Sequence, residues 1–289
     1  MSGYVISLRS ISISSYPEKS LVPCYMMKIM KTIHLTTIKS TLCLILGLWF
    51  SIAQAQFQIS PMVIQTNTAR GMASGMINVK NLGSKTANLR VYSEPFTYGL
   101  DGFKSIKSSP QDLTHYLVYA PRKLKIRPGQ TRRVRLNVRF LPSTKKGEYR
   151  AMVFTEDVKS QASGKSQSSI IPRIGTAVYV RHGDLKAQLS VQSAAYKNKQ
   201  IVLLTKNTGK ATARPHVNWV LNKSGREITS GESSKQTVIA KGQRNLQIGG
   251  EKFPEIESLR AGKYQISGKL IWGKGDKNSL AFKQKFVVR

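Results

Sequence analysis

The chain has 289 residues, with 46 Lys and Arg against 14 Asp and Glu, a formal charge of +32, and 40% hydrophobic residues. That apolar fraction suffices for packed cores and excludes wholesale disorder, and no apolar run reaches the roughly 20 residues a membrane-spanning helix needs. So positive a balance is extreme for an ordinary cytosolic enzyme and points to an acidic partner or an anionic surface.

Residues 1–55 read as a targeting segment. Met26, Met27 and Met30 are followed by Lys28, Lys31 and Lys39, and no acidic residue follows Glu18 in this stretch. An apolar run from Leu42 to Phe50 and the small-residue site Ala53-Gln54-Ala55 complete the pattern of a secretory signal peptide cleaved before Gln56. Residues 1–25 have no targeting logic, which leaves Met1, Met26, Met27 and Met30 open as the start. Cleavage leaves 234 residues, 289 less 55, with 41 basic and 13 acidic side chains and a net charge of +28. Cys24 and Cys43 both lie upstream of the cut. Disulfides, thiolate nucleophiles and cysteine metal sites are therefore excluded from the exported chain.

From residue 56 onward the pattern is all-β. Strands are expected near 57–65, 74–81, 88–94, 116–127, 131–140, 148–155 and 168–181, then near 186–195, 200–206, 214–222, 236–248, 262–272 and 279–288. Seven short strands followed by six, with Gly, Pro, Asn and Ser clusters between them, predict two tandem β-sandwiches. The boundary is expected at His182-Gly183-Asp184, giving domains 56–182 and 183–289. The clearest alternation runs from Arg132 to Phe140: Val134, Leu136, Val138 and Phe140 are expected to face a core, and Arg133, Arg135 and Arg139 the other side. Pro128-Gly129 is a turn signal expected to join this strand to the one at Leu124 and Ile126. Lys159–Ser169, polar and rich in Ser and Gly, reads as a long loop.

Two stretches carry a family resemblance. Ala120-Pro121-Arg122-Lys123-Leu124-Lys125-Ile126-Arg127-Pro128-Gly129-Gln130-Thr131, followed by Val134-Arg135, resembles the proline-rich hairpin of PapD-like periplasmic pilus-assembly chaperones. Gly147-Glu148-Tyr149-Arg150-Ala151-Met152-Val153-Phe154 resembles the strand after it. Asn207-Thr208-Gly209, Leu259-Arg260-Ala261-Gly262-Lys263-Tyr264 and a closing strand ending at Val288 resemble the second domain of that family. The resemblance implies a boomerang of two immunoglobulin-like domains that holds pilus subunits in the periplasm for an outer-membrane usher, with no cofactor. A subunit lacking a strand exposes a groove, and the chaperone lends an edge strand whose alternate apolar side chains fill it. By this resemblance the lent strand falls in Ser168–Ile174, with Ser168, Ile170, Pro172 and Ile174 as the client-facing positions. The bland alternative is that these isoleucines complete the chain's own core.

The sequence departs from the family pattern at three places. The first strand, Ile59-Ser60-Pro61-Met62-Val63-Ile64, lacks the cleft arginine that grips the subunit's terminal carboxylate. No lysine stands near Gly175–Ala177, so Arg173, and less directly Arg150, are the candidate carboxylate anchors. Finally, Pro172 cannot donate a ladder hydrogen bond.

The charge is spread through the chain. Residues 56–182 carry 21 basic and 6 acidic residues, and the remainder 20 and 7, while 122–139 holds eight basic residues and no acid. Arg133, Arg135 and Arg139 form the candidate basic surface, for steering acidic subunits or for contacting a peripheral anionic surface or polymer. No sequence-specific nucleic-acid motif is present. Catalysis has no support either: His115, His182 and His216 are isolated, and Glu156-Asp157 is the only adjacent acidic pair after residue 55. No phosphate loop, nucleophile elbow, metal motif or cofactor motif occurs. Two readings stand: a strand-donating periplasmic chaperone, and an exported basic module that binds anionic polymer or cell surface.

Overall fold

The computed structural model describes residues 57–158 and 173–289. The expected signal peptide, and Ser168, Ile170 and Pro172 of the expected donor strand, lie outside the described residues.

The first eleven strands are β1 (Phe57–Ser60), β2 (Val63–Asn67), β3 (Met72–Asn81), β4 (Ala87–Glu94), β5 (Phe96–Tyr98), β6 (Phe103–Ser105), β7 (Leu117–Ala120), β8 (Lys123–Ile126), β9 (Thr131–Arg139), β10 (Gly147–Asp157) and β11 (Arg173–His182). One sheet runs β1-β3-β9-β7 and the facing sheet β2-β11-β10-β4-β8, while β5 and β6 form a separate hairpin. Ile77, Val79, Leu89, Ile126, Val134, Leu136, Val153 and Val178 fill the space between the two sheets. Alternation builds that core: in β9 the even positions Val134, Leu136 and Val138 are buried, whereas Arg133, Arg135 and Arg139 are exposed.

The second set is β12 (Leu189–Lys197), β13 (Gln200–Asn207), β14 (His216–Lys223), β15 (Arg226–Glu232), β16 (Gln243–Ile248), β17 (Gly262–Trp272) and β18 (Asn278–Val288). These strands make sheets β12-β13-β16 and β15-β14-β17-β18 around Ile201, Leu203, Trp219, Leu221, Leu246 and Ile266. A short α1 (Pro254–Glu257) adds Ile256 to this core. The chain is thus all-β, with two immunoglobulin-like sandwiches in tandem. A buried asparagine braces each one. Asn81 accepts from Gly83 N and donates to Ile126 O, and Asn207 accepts from Gly209 N and donates to Val238 O. In both cases the side chain satisfies backbone groups of a turn where no ladder reaches.

Several expected elements differ in detail. The strands expected at 57–65 and 116–127 each break at a proline, Pro61 and Pro121, both preceded by a cis peptide. Proline has no N–H for the ladder, and at both breaks the chain passes from one sheet to the other. Pro128-Gly129 makes a turn but does not close a hairpin: β8 pairs with β4, β9 with β3 and β7, and the turn links opposite sheets. The β5–β6 hairpin and β15 were not expected, because neither shows clean alternation. Of the stretch expected at 236–248, only Gln243–Ile248 is a strand. Ahead of it, Val238 makes an isolated bridge to Ala213.

Candidate functional site: an open strand edge and the sheet face beside it

β11 has β10 along one side for its whole length, from Glu156 opposite Arg173 to Gly147 opposite His182. On the other side its partner is β2, which runs parallel to it and begins only at Val63, opposite Ala177. Ala177 N donates to Met62 O at 3.0 Å, so the N–H of Ala177 points away from β10. Backbone direction alternates along a strand, which sends the N–H and C=O of Gly175 and Arg173 the same way. Opposite those two residues no strand stands among the described residues. Among the described residues, the edge of the sheet is therefore open over the first three or so residues of β11.

The side chains on either face of this edge differ in kind. Toward the core point Ile174, Thr176, Val178 and Val180; Val178 and Val180 are fully enclosed and half-buried Ile174 packs against the same cluster. Thr176 closes the row by donating from Oγ1 to Pro61 O at 3.1 Å. Ile174 is thus shared between the chain's own core and the end of the open edge.

The outer face is aromatic and charged. Tyr92, Phe96, Tyr98, Phe103, Phe154 and Tyr179 form a chain of ring contacts with centroids 5.5–6.4 Å apart. The Arg173 guanidinium lies 4.3 Å from the centroid of Phe154, with Nη1 3.5 Å from Tyr92 Oη and 3.6 Å from Glu94 Oε2. The bond to Tyr92 holds its guanidinium above the usual arginine range. Beside it Arg90 pairs with Glu156 at 2.8 Å. A side chain at Gly175 would meet Met152 at 2.7 Å and Phe154 at 3.0 Å, which explains physically why no cation stands there. The place is filled by apolar side chains from β10, and Arg173 reaches over them instead.

Arg150 stands elsewhere. It lies opposite Tyr179, six residues along β11 from Arg173, a separation of about 20 Å. The structure therefore does not bring the two candidate carboxylate anchors together, and one carboxylate cannot touch both. Arg150 is buried, and Nε donates to Phe96 O at 3.1 Å. Burial pushes its guanidinium below the usual arginine range.

Two features of this face were invisible in the sequence. The first is a junction between the sandwiches: Glu148, fully buried, accepts from Arg181 Nε at 3.1 Å, from Thr212 N at 2.8 Å and from Thr212 Oγ1. Arg181 also donates to Thr212 O at 2.8 Å. The second is an apolar and polar contact in which Ile239 joins the Phe96–Tyr179 cluster and Asn245 N donates to Leu100 O. The available signal was the run Glu148, Arg150, Met152, Phe154, Glu156. It places charges at alternate positions of a strand buried on both faces, and buried charge demands partners from outside the sheet.

Arg133, Arg135 and Arg139 lie on the outer surface of the other sheet. They sit opposite Asn78, Met76 and Met72 of β3, with Val118 of β7 opposite Asn137. Met72, Met76 and Val118 are all exposed. Among the described residues, no group of three or more His, Cys, Asp or Glu could hold a metal ion, and no helix is long and apolar enough to cross a membrane.

No family model and no curated protein matches the chain. Solved structures similar to it include the class 5 fimbriae chaperone CfaA, at 16% identity over 79% of this chain and 98% of that one, with a TM-score of 0.46. Another is the CsuC–CsuE chaperone–tip adhesion subunit complex of archaic chaperone–usher Csu pili from Acinetobacter baumannii, at 14% identity, 67% and 91% coverage and a TM-score of 0.40. A third is the SafA pilin–SafB chaperone complex of Salmonella enterica, at 11% identity, 82% and 99% coverage and a TM-score of 0.43. What this chain's own residues do has to be read from its own geometry.

Proposed function

We propose that the protein is a non-enzymatic periplasmic chaperone that lends the open edge of β11, continued back through 168–172, to a pilus subunit with an unfinished β-sandwich. The observation that carries the reading is the unpaired edge at Arg173 and Gly175, placed where Ile174 ends the core-facing row. An open edge with an apolar row beside it is an aggregation hazard unless something covers it, and a strand from a client is the natural cover. Carried back at period two, the client-facing positions are Pro172, Ile170 and Ser168, with Ile174 at the seam between the two cores. Arg173 is the cation proposed to meet the client's terminal carboxylate, since it lies at the open edge and stays partly exposed. The expected domains, 56–182 and 183–289, and hand-over to an outer-membrane usher belong to the same proposal.

The test is co-purification of the tagged protein from its own periplasm with a wash at about 0.5 M salt, where the Debye length is roughly 4 Å and contacts held only by exposed charge release. A small β-rich partner should survive the wash. Ile170→Asp should release it, weakening binding by roughly a hundredfold or more, because a carboxylate would be buried without a partner. The melting temperature should stay at the parent value. Retention of the partner by Ile170→Asp overturns strand donation.

A second reading is favoured by a separate observation, the cationic and partly apolar outer face of β9 and β3. It is a peripheral contact with an anionic surface made by Arg133, Arg135 and Arg139, and it is compatible with the first.

A further inference from the structure

Arg150 is a buried charge of the first sandwich. Its Nε is bonded to Phe96 O, and its two terminal nitrogens have no hydrogen-bond partner among the described residues. The nearest carboxylate on its strand face, Glu148, is already engaged by Arg181 and by both donors of Thr212. A buried guanidinium in that position carries a desolvation cost that Glu148 offsets only in part. The terminal nitrogens are not sealed in, however. Arg150 lines a cavity of about 260 Å³ whose other walls include Gln111, Lys146, Lys210 and Lys241.

The walls come from both sandwiches. Lys146 stands just before β10, and its stem lies against Gly183. Lys210 and Lys241 sit on adjacent turns of the second sandwich, tied by a hydrogen bond from Lys241 N to Gly209 O at 3.0 Å. Four cations thus line one small cavity, and its one acid is neutralised by Arg181. Like charges gathered around one cavity repel, and an anion between them would relieve that repulsion. A carboxylate offers two oxygens in one plane, whereas a tetrahedral oxyanion offers acceptors toward floor and rim together. The volume exceeds the roughly 30 Å³ share of a single water several-fold, enough for such an ion with part of its hydration.

We propose that this cavity is a phosphate-class oxyanion site, with Arg150 as its floor and Lys146, Lys210 and Lys241 as its rim. An ion held there ties the first sandwich to the second beside the Glu148–Arg181–Thr212 junction. The site is separate from the open edge of β11, so it does not depend on strand donation.

The experiment is a melting curve and a calorimetric titration of the purified protein with inorganic phosphate, against chloride at matched ionic strength. Saturable binding is expected, with a rise of roughly 5 °C or more at phosphate a hundredfold above its dissociation constant. The double variant Lys210→Ser/Lys241→Ser, on exposed turns, should melt as the parent does in chloride and lose at least tenfold in affinity for phosphate. Arg150→Met should lose binding too, and if it fails to fold the double lysine variant decides. A parallel titration with glycerol 3-phosphate separates the sources. Equal or tighter binding assigns the site to a phosphate monoester, and binding of inorganic phosphate alone assigns it to the free ion. Identical melting in phosphate and chloride, or undiminished binding by the double lysine variant, overturns the proposal.

Discussion

Glu148 shows how much can rest on one side chain. Its carboxylate satisfies Arg181 and two donors of Thr212 while fully buried, and those partners come from both sandwiches. Truncation leaves the Arg181 cation without its carboxylate and the Thr212 N–H without an acceptor, so Glu148→Ala should destabilise by about 3–5 kcal/mol, read by urea unfolding. Tyr179 is the opposite case. Its hydroxyl is buried with no hydrogen-bond partner among the described residues, and burial pushes its ionisation well above the ordinary tyrosine range. Removing an unsatisfied polar group recovers about 1 kcal/mol or more, so Tyr179→Phe should be neutral to stabilising at neutral pH. The pH dependence has a definite sign. With the folded value raised, the protein gains from a neutral tyrosine up to the unfolded value of about 10 and loses that gain as pH rises further. Stability should therefore fall less steeply above about pH 10 in Tyr179→Phe than in the parent.

At the scale of elements, β11 and β9 present two kinds of surface made by the same period of two. In β11 the core-facing row is continuous through Ile174, Thr176, Val178 and Val180, and the late start of β2 at Val63 leaves the beginning of the strand without a partner on that side among the described residues. In β9 the outward row holds Arg133 and Arg135 about 7 Å apart and Arg139 about 13 Å further along, with Asn137 between, beside exposed Met72, Met76 and Val118. Each basic residue near an anionic bilayer is worth about 1 kcal/mol. Vesicles containing anionic phospholipid should bind the parent at low salt and release it as salt rises. The triple charge reversal of Arg133, Arg135 and Arg139 should abolish that binding without affecting subunit capture, as checked by vesicle co-sedimentation. The alternation in β9 was legible because one face is core and the other water. The breaks at Pro61 and Pro121 were not located, although both prolines are plain in the sequence, because an apolar pattern continues on either side of each. A strand that changes sheets keeps its hydrophobic parity while changing its partner. The turn at Pro128-Gly129 between β8 and β9 was legible from its residues, but only the opposing strands decide whether such a turn closes a hairpin or crosses the sandwich.

Among the described residues, the two sandwiches meet at the Glu148 junction, at Ile239 against the aromatic face, at Arg244 over the ring of Tyr98 at 4.7 Å, and at Asn245 on Leu100 and Asp101. Contacts of this kind couple folding units without merging their cores. Ile239→Asp should uncouple them, splitting one calorimetric transition into two, since a carboxylate there would be buried without a partner among rings. The lysine-lined cavity lies at the same meeting, which is why occupancy by an oxyanion should be visible in global stability.

The sequence by itself determined the all-β character and the tandem arrangement, because period-two burial and turn residues are local properties that survive without knowledge of any partner. It also determined the basicity and the absence of cysteine from the described strands. The tertiary structure alone decided which edge is left open among the described residues, since that depends on β2 beginning its run opposite Ala177. It alone decided that Arg150 and Arg173, twenty-three positions apart in the chain, stand about 20 Å apart along the sheet. Pairing of strands and the facing of charges across two sandwiches are non-local relations, and a periodic pattern fixes which face a side chain takes but never what stands opposite it.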